Sequence, residues 1–381
     1  MTMHFDTPEY AARKARAIDA IKAENLDALL MFAPESQYWI CGYDTFGFAL
    51  FQCLVLTASG ELHLLTRNPD LRQARLTSTL TEAQIHIWDD VEGMNPARDL
   101  ADLLADMGVS GRIGYEGQTA GLTDYNGQQL RALIPDLIEA TEVIRDQRRI
   151  KSDAEVAMHR RAATLSDDAL DAGIAATHAG AFEGDVLAAM QGTVFKGGGD
   201  YAGNEFIIGS GEGALLCRYF SGRRHLDPSD QLTLEWSGAY ARYHAAMMRT
   251  IVVGTPSDSH KRMHDACAEA LDACETAIRP GNPMGDVFDA HARVFDKHGY
   301  GHARLKACGY GMGAIYNPIW VDFPMFHEGN PLLMRKNQVF FLHMILMDSD
   351  SGDAMTLGHS VLVKPDGVER LSRHDTGLIT R

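Results

Sequence analysis

The sequence predicts an α/β domain followed by an α+β domain. Three observations carry this expectation: strand candidates alternate with helices at first, the composition turns basic at IRDQRRIKS, and beyond it helices give way to long strands. Residues 8–24 place Ala11, Ala12, Ala15, Ile18 and Ile21 at helical spacing, and Asp27 to Phe32 reads as a short buried strand. Further strands are expected at Phe48–Leu56, Glu61–Thr66, Ile85–Trp88 and Arg112–Tyr115, with helices near Pro96–Met107 and Asp124–Leu133. A long helix is expected from Ser152, where Glu155 completes a capping-box pattern, so the domain boundary is set near residue 149. The second half then reads as helices at 152–177 and 182–194, strands at Gln231–Ala239 and Tyr243–Gly254, helices at 259–278 and 284–298, and strands near 303–310, 338–348 and 355–364. That order suggests a curved sheet backed by helices.

Composition narrows the function classes. A chain of 381 residues suggests about two domains, each with a large core. Its 35 basic against 51 acidic side chains give a formal charge of −16, which repels phosphate backbones and anionic lipid, so neither nucleic acid nor a membrane is an expected partner. The longest apolar stretch, Phe46–Ala58, is broken by Gln52 and too short to span a bilayer. The N-terminus shows no apolar signal core, and a cytoplasmic location is expected. Six scattered cysteines form no CxxC pair, so they read as small buried thiols rather than a zinc or redox site. GSGEG near Gly209 lacks the helix a phosphate loop needs, and no GxSxG elbow is present.

Several stretches, in order, carry a stronger signal: VIRDQRRIKSDAEVAMHRRAATLSDDAL, LTLEWSGAYARYHAAMMRTIVVG, ACGYGMGAIYNPIW, NQVFFLHMILMDSD and MTLGHSVLVKPDG. Their sequence and spacing resemble the creatinase and prolidase superfamily over nearly the whole chain. The resemblance implies a creatinase-type N-terminal domain at 1–149 and an α+β pita-bread domain, creatinase/aminopeptidase-like, at 150–381. Most of that superfamily holds two metal ions with two Asp, one His and two Glu. By the resemblance those positions fall on Glu235, Ala246, Tyr310, His343 and Gly358, with His359 the alternative to Gly358 if the placement slips by one residue. Alanine and glycine offer no ligand, so the resemblance implies no dinuclear metal centre and no cofactor; a mononuclear site from Glu235, His343 and His359 is the alternative. CGYDTFGFALFQCLVL, GGGDYAGNEFIIGSG, LEWSGAYARYH and GYGMGAIYNPIW resemble the creatinase and ectoine hydrolase families within it, which hydrolyse nonpeptide C–N bonds of small amino-acid derivatives without that metal pair.

The expected site follows from these positions. The histidine that serves those families as acid and base is replaced by Arg218, which cannot release a proton near neutral pH but can clamp a carboxylate, pointing to a small anionic substrate derived from an amino acid. Glu235, in an apolar strand, is expected to be a nucleophile or base with a raised pKa, against the reading of a buried structural carboxylate tied to Arg249 or Arg242. Strand alternation places it on one face with Thr233 and Ser237. His343, among apolar neighbours, is expected to carry protons, with His359 and Tyr310 assisting. His244 is a weaker candidate. Asp200 and Tyr201 either grip a ligand or form a turn, and Phe46 and Phe48 either cover the site of a neighbouring subunit or pack in the core. The resemblance implies a homodimer. A lyase acting on a small anion and a noncatalytic binding protein are the rival functions.

Overall fold

Ser152 and Glu155 exchange hydrogen bonds at the start of the second half: the serine hydroxyl accepts from Glu155 N–H at 3.2 Å and the glutamate accepts from Ser152 N–H at 2.9 Å. This capping box satisfies two otherwise orphaned donors and starts the helix Asp153–Ala176 where the sequence expects it. The computed structural model describes residues 3–220 and 222–381. They form two separately packed units, one reaching Arg148 and the other running from Arg149 to Arg381.

The first unit is built on a six-stranded sheet. Its strands are β1 Ala28–Met31, β2 Cys53–Thr57, β3 Leu62–Arg67, β4 Ile85–Trp88, β5 Ile113–Tyr115 and β6 Ile138–Glu139. They lie in the order β4-β3-β2-β1-β5-β6, with parallel pairing toward both edges and helices between, which is the expected α/β pattern. The basic run before residue 149 is helical, Glu142–Arg149, with Ile144 and Arg148 on its buried face. One local expectation is corrected. The strand expected from Phe48 starts only at Cys53: Gly47–Ala49 is a short 3₁₀ turn, and a Cβ on Gly47 would sit 2.7 Å from the Asp70 carboxylate that also accepts from Thr45.

The second unit holds nine strands. They are β7 Ile207–Ser210, β8 Asp230–Tyr240, β9 Tyr243–Val253, β10 Ala307–Gly311, β11 Asp322–His327, β12 Val339–Asp348, β13 Asp353–Lys364, β14 Gly367–Arg370 and β15 Ile379–Thr380. The main path runs β11-β10-β12-β13-β9-β8-β7 and is antiparallel throughout. The long strands match the expected ones within a few residues, whereas the short strands β7, β11, β14 and β15 have no counterpart among the expected ones. Helix Asp153–Ala176 packs closely on β8 because Gly238 lacks a side chain; a Cβ there would lie 2.2 Å from the Ala162 carbonyl oxygen. Trp236 is fully buried and donates its indole N–H to Ser166 O at 2.9 Å, so it faces the helix. Burial of such a ring is worth about 3 kcal/mol. Alternation then turns Glu235 to the opposite face.

Candidate active site

Glu235 on β8, Tyr310 on β10 and His343 on β12 line one cavity of about 390 Å³, and Arg218 stands in its wall. The second unit supplies all of the lining, and Ile207, Leu305, Val321, Met325 and Ile345 make much of it apolar. Tyr310 O–H lies 3.4 Å from Glu235 Oε1, and its ring centroid is 5.6 Å from that of His343.

These surroundings set the charge states. Burial pushes the Glu235 carboxyl up to about 7, although Arg218 and the Tyr310 hydroxyl favour the ionised form. Burial pushes His343 down to about 4, with Arg218 acting in the same direction, so the imidazole is neutral at pH 7. Its Nδ1 is buried with no hydrogen-bond partner among the described residues. Tyr310 is held well above the usual tyrosine range by burial and by the neighbouring Glu235, so it acts as a donor. A carboxyl poised near neutrality, a neutral imidazole and a phenol can together attack or activate water, relay a proton and stabilise an oxyanion.

The structure also places the remaining expected residues. His359 is not in this cavity: it is buried, with Nε2 2.6 Å from Glu275 Oε1 on the helix Asp258–Ala277. Directly opposite His343 across the β12–β13 ladder stands Gly358, and one step along a strand reverses the face. His244 does not line the cavity either; its Nε2 accepts the Gly203 N–H at 2.8 Å and burial pushes it down to about 4. Asp200 accepts from Arg242 N–H at 3.0 Å, which ties its carboxylate to the β8–β9 turn, and it does not line the cavity. Tyr201 is exposed and packs edge-on to Phe195. Phe48 is buried in the first unit and Phe46 is 83% exposed; neither lines the cavity.

Arg249 is structural, donating to the carbonyls of Met248 and Gly358 at 2.8 and 2.6 Å. Arg224 bonds Asp230, Asp227 and Ser210, so Arg218 is the arginine of the cavity. Sequence reasoning missed Trp320, Asn204, Cys217 and Lys306, all of which line it. Trp320 and Asn204 sit inside the quoted motifs, but nothing in their spacing marks them.

Residues 157–365 match metallopeptidase family M24, and residues 13–150 match the creatinase/prolidase N-terminal domain. The chain belongs to family M24. The creatinase and prolidase architecture expected from the motifs is therefore present, and the family is one of hydrolases. Similar M24 proteins include the ectoine hydrolase of Halomonas elongata, 25% identical over 394 residues with 98% of this chain and 97% of the relative covered. An uncharacterized hydrolase/peptidase of Sinorhizobium fredii is 26% identical, with 100% of this chain and 99% of the relative covered. Among solved M24-like folds, the dipeptidase PepE of Mycobacterium ulcerans superposes with a TM-score of 0.86 at 23% identity, covering 99% of both chains. The prolidase of Thermococcus sibiricus gives 0.87 at 19% identity, covering 98% of this chain and 99% of the other.

A metallopeptidase family implies bound metal, and the donor set here does not fit a pair of ions. Of the five positions expected from the resemblance, only Glu235, Tyr310 and His343 carry donor atoms. Gly358 also has no room for one: a Cβ would lie 2.4 Å from the Leu342 carbonyl oxygen and 3.1 Å from His343 Cα. The mononuclear trio of Glu235, His343 and His359 is not assembled, because His359 faces Glu275. Among the described residues, one group of three potential ligands comes together, His302, Asp348 and Asp350, and none of them lines the cavity. No helix among the described residues is long and apolar enough to cross a membrane.

Proposed function

We propose that the protein is a metal-independent hydrolase of a nonpeptide C–N bond, a cyclic amide, amidine or guanidino group, in a small carboxylate-bearing amino-acid derivative. The observation that carries this reading is the joint placement of Glu235, Tyr310, His343 and Arg218 around one cavity. Full-length similarity to an ectoine hydrolase supports the bond class.

The substrate carboxylate pairs with the Arg218 guanidinium, whose planar fork suits it. Ionised Glu235 either attacks the electrophilic carbon to give an acyl-enzyme or takes a proton from the attacking water. Tyr310 O–H donates to the oxygen or nitrogen that gains charge as the carbon becomes tetrahedral. In the base route Glu235 passes the water proton to the departing nitrogen; in the acyl-enzyme route Tyr310 protonates the departing nitrogen, and neutral His343 then takes a proton from the water that hydrolyses the acyl group and returns it to Tyr310. By either route the water oxygen ends on carbon, its protons are shared between the products, and the C–N bond breaks.

The peptidase activity named for several relatives is disfavoured by the donor set, since Ala246 and Gly358 cannot help hold two ions. The test is turnover of a panel of small cyclic amides, amidines and guanidino acids in ¹⁸O water, before and after exhaustive chelation. Incorporation of ¹⁸O with unchanged rate after chelation is expected. Product without solvent oxygen indicates elimination instead, and activity lost to chelator and restored by a divalent ion overturns the metal-free reading.

A further inference from the structure

Trp320 is 1% exposed, and its indole N–H, which can only donate, lies 2.8 Å from Tyr310 Oη. Its backbone N–H donates to Asn204 Oδ1 at 3.2 Å. The loop bearing Asn204 comes as near as glycine allows: a Cβ on Gly203 would sit 2.9 Å from the Ile319 carbonyl oxygen and 3.1 Å from Trp320 Cα. Gly203 N–H is held in turn by His244 Nε2 at 2.8 Å. A connected series of contacts therefore runs from His244 through Gly203 and Asn204 to Trp320, Tyr310 and Glu235.

A phenol has one proton to give. With the indole N–H directed at the Tyr310 oxygen, that proton turns away from Trp320, and Glu235 Oε1 at 3.4 Å is the acceptor within reach. We propose that Trp320 is a positioning residue that fixes the Tyr310 hydroxyl as a donor toward Glu235 and the reacting group. Trp320 acts through Tyr310, and Asn204 and His244 hold the loop that keeps it in place. The catalytic use of this orientation rests on the function proposed above, while the orientation itself does not require turnover.

The experiment titrates Glu235 in the full-length chain by ¹³C NMR of carboxyl-labelled glutamate, its resonance identified by loss in Glu235→Gln. Tyr310→Phe removes a bond to the ionised carboxylate and is expected to raise the midpoint by about half to one pH unit. Trp320→Phe is expected to move it the same way by a few tenths, and the double variant no further than Tyr310→Phe alone. Benzothienylalanine at position 320, which keeps the ring shape but lacks the N–H, serves if Trp320→Phe fails to fold. A midpoint unmoved by loss of the indole N–H, or full additivity of the two changes, overturns the proposal. Absence of turnover on every amide tested defeats the functional reading and leaves the titration to decide the orientation.

Discussion

Glu235 and His343 face one cavity from β8 and β12, and burial drives their proton affinities apart, Glu235 up to about 7 and His343 down to about 4. The usual order of a carboxyl and an imidazole is thereby reversed. Around neutrality the glutamate changes charge and the histidine stays neutral, which suits a carboxylate that attacks and an imidazole that accepts.

This pairing makes stability depend on pH in a stated direction. From 4.5, the ordinary value, to about 7 the folded state retains a proton on Glu235 that the unfolded chain has released, so raising pH through that window costs stability. Glu235→Gln removes that term. Melting curves of both proteins should differ by a gap that changes by on the order of 3 kcal/mol between pH 4 and 8, to the disadvantage of the natural chain at high pH. Glu116 in the first unit is also raised to about 7, and the comparison cancels it. Parallel curves exclude the raised value. In kinetics, Glu235→Gln should abolish turnover with the fold intact, and the natural protein's rate should rise with pH through about 7.

Arg218 lowers the Glu235 pKa and is expected to grip the substrate anion. Arg218→Ala should therefore raise KM for a carboxylate substrate by about 10-fold or more, leave a neutral analogue little affected, and move the rising limb of the pH profile upward. Arg218→Lys should retain the limb but not the affinity, because an ammonium lacks the fork. Equal effects on charged and neutral analogues, with the limb unmoved, refute a role in anion binding.

His359 and Glu275 pack on the far side of β13 from His343. His359→Ala leaves a buried gap and a glutamate without that hydrogen bond, costing about 2–4 kcal/mol. The kcat/KM of the folded fraction should stay within about twofold. His343→Ala should do the reverse, losing about 100-fold in rate for a smaller loss of stability. Urea unfolding and initial rates on both variants separate the roles, and a large rate loss in His359→Ala returns that residue to the site.

Gly358 is closed to side chains by the Leu342 carbonyl at 2.4 Å. Gly358→Ala should lower the melting midpoint by an amount equivalent to about 1–3 kcal/mol, since backbone rather than a flexible side chain must move. Gly358→Glu should not create a tight metal site. Elemental analysis after incubation with manganese or zinc checks this, and a stable variant holding two ions per chain contradicts it.

Much of the molecule is legible in the chain itself. Strand periodicity and the Ser152–Glu155 cap mark the second unit's long elements, and motif order places Glu235, Tyr310, His343 and Arg218. Those signals are local: spacing of two along a strand, a hydroxyl three residues before a carboxylate, a charged residue inside an apolar run. Which residues share the cavity depends on contacts between distant segments. A one-residue step separates Gly358 beside His343 from His359 on Glu275, and only the β12–β13 register chooses between them. Trp320, Asn204 and Cys217 join the site from loops whose spacing carries no period. Sequence determined the strands and the chemistry they bring; tertiary structure decided the neighbours, because hydrogen-bond register and burial are set between segments far apart in the chain.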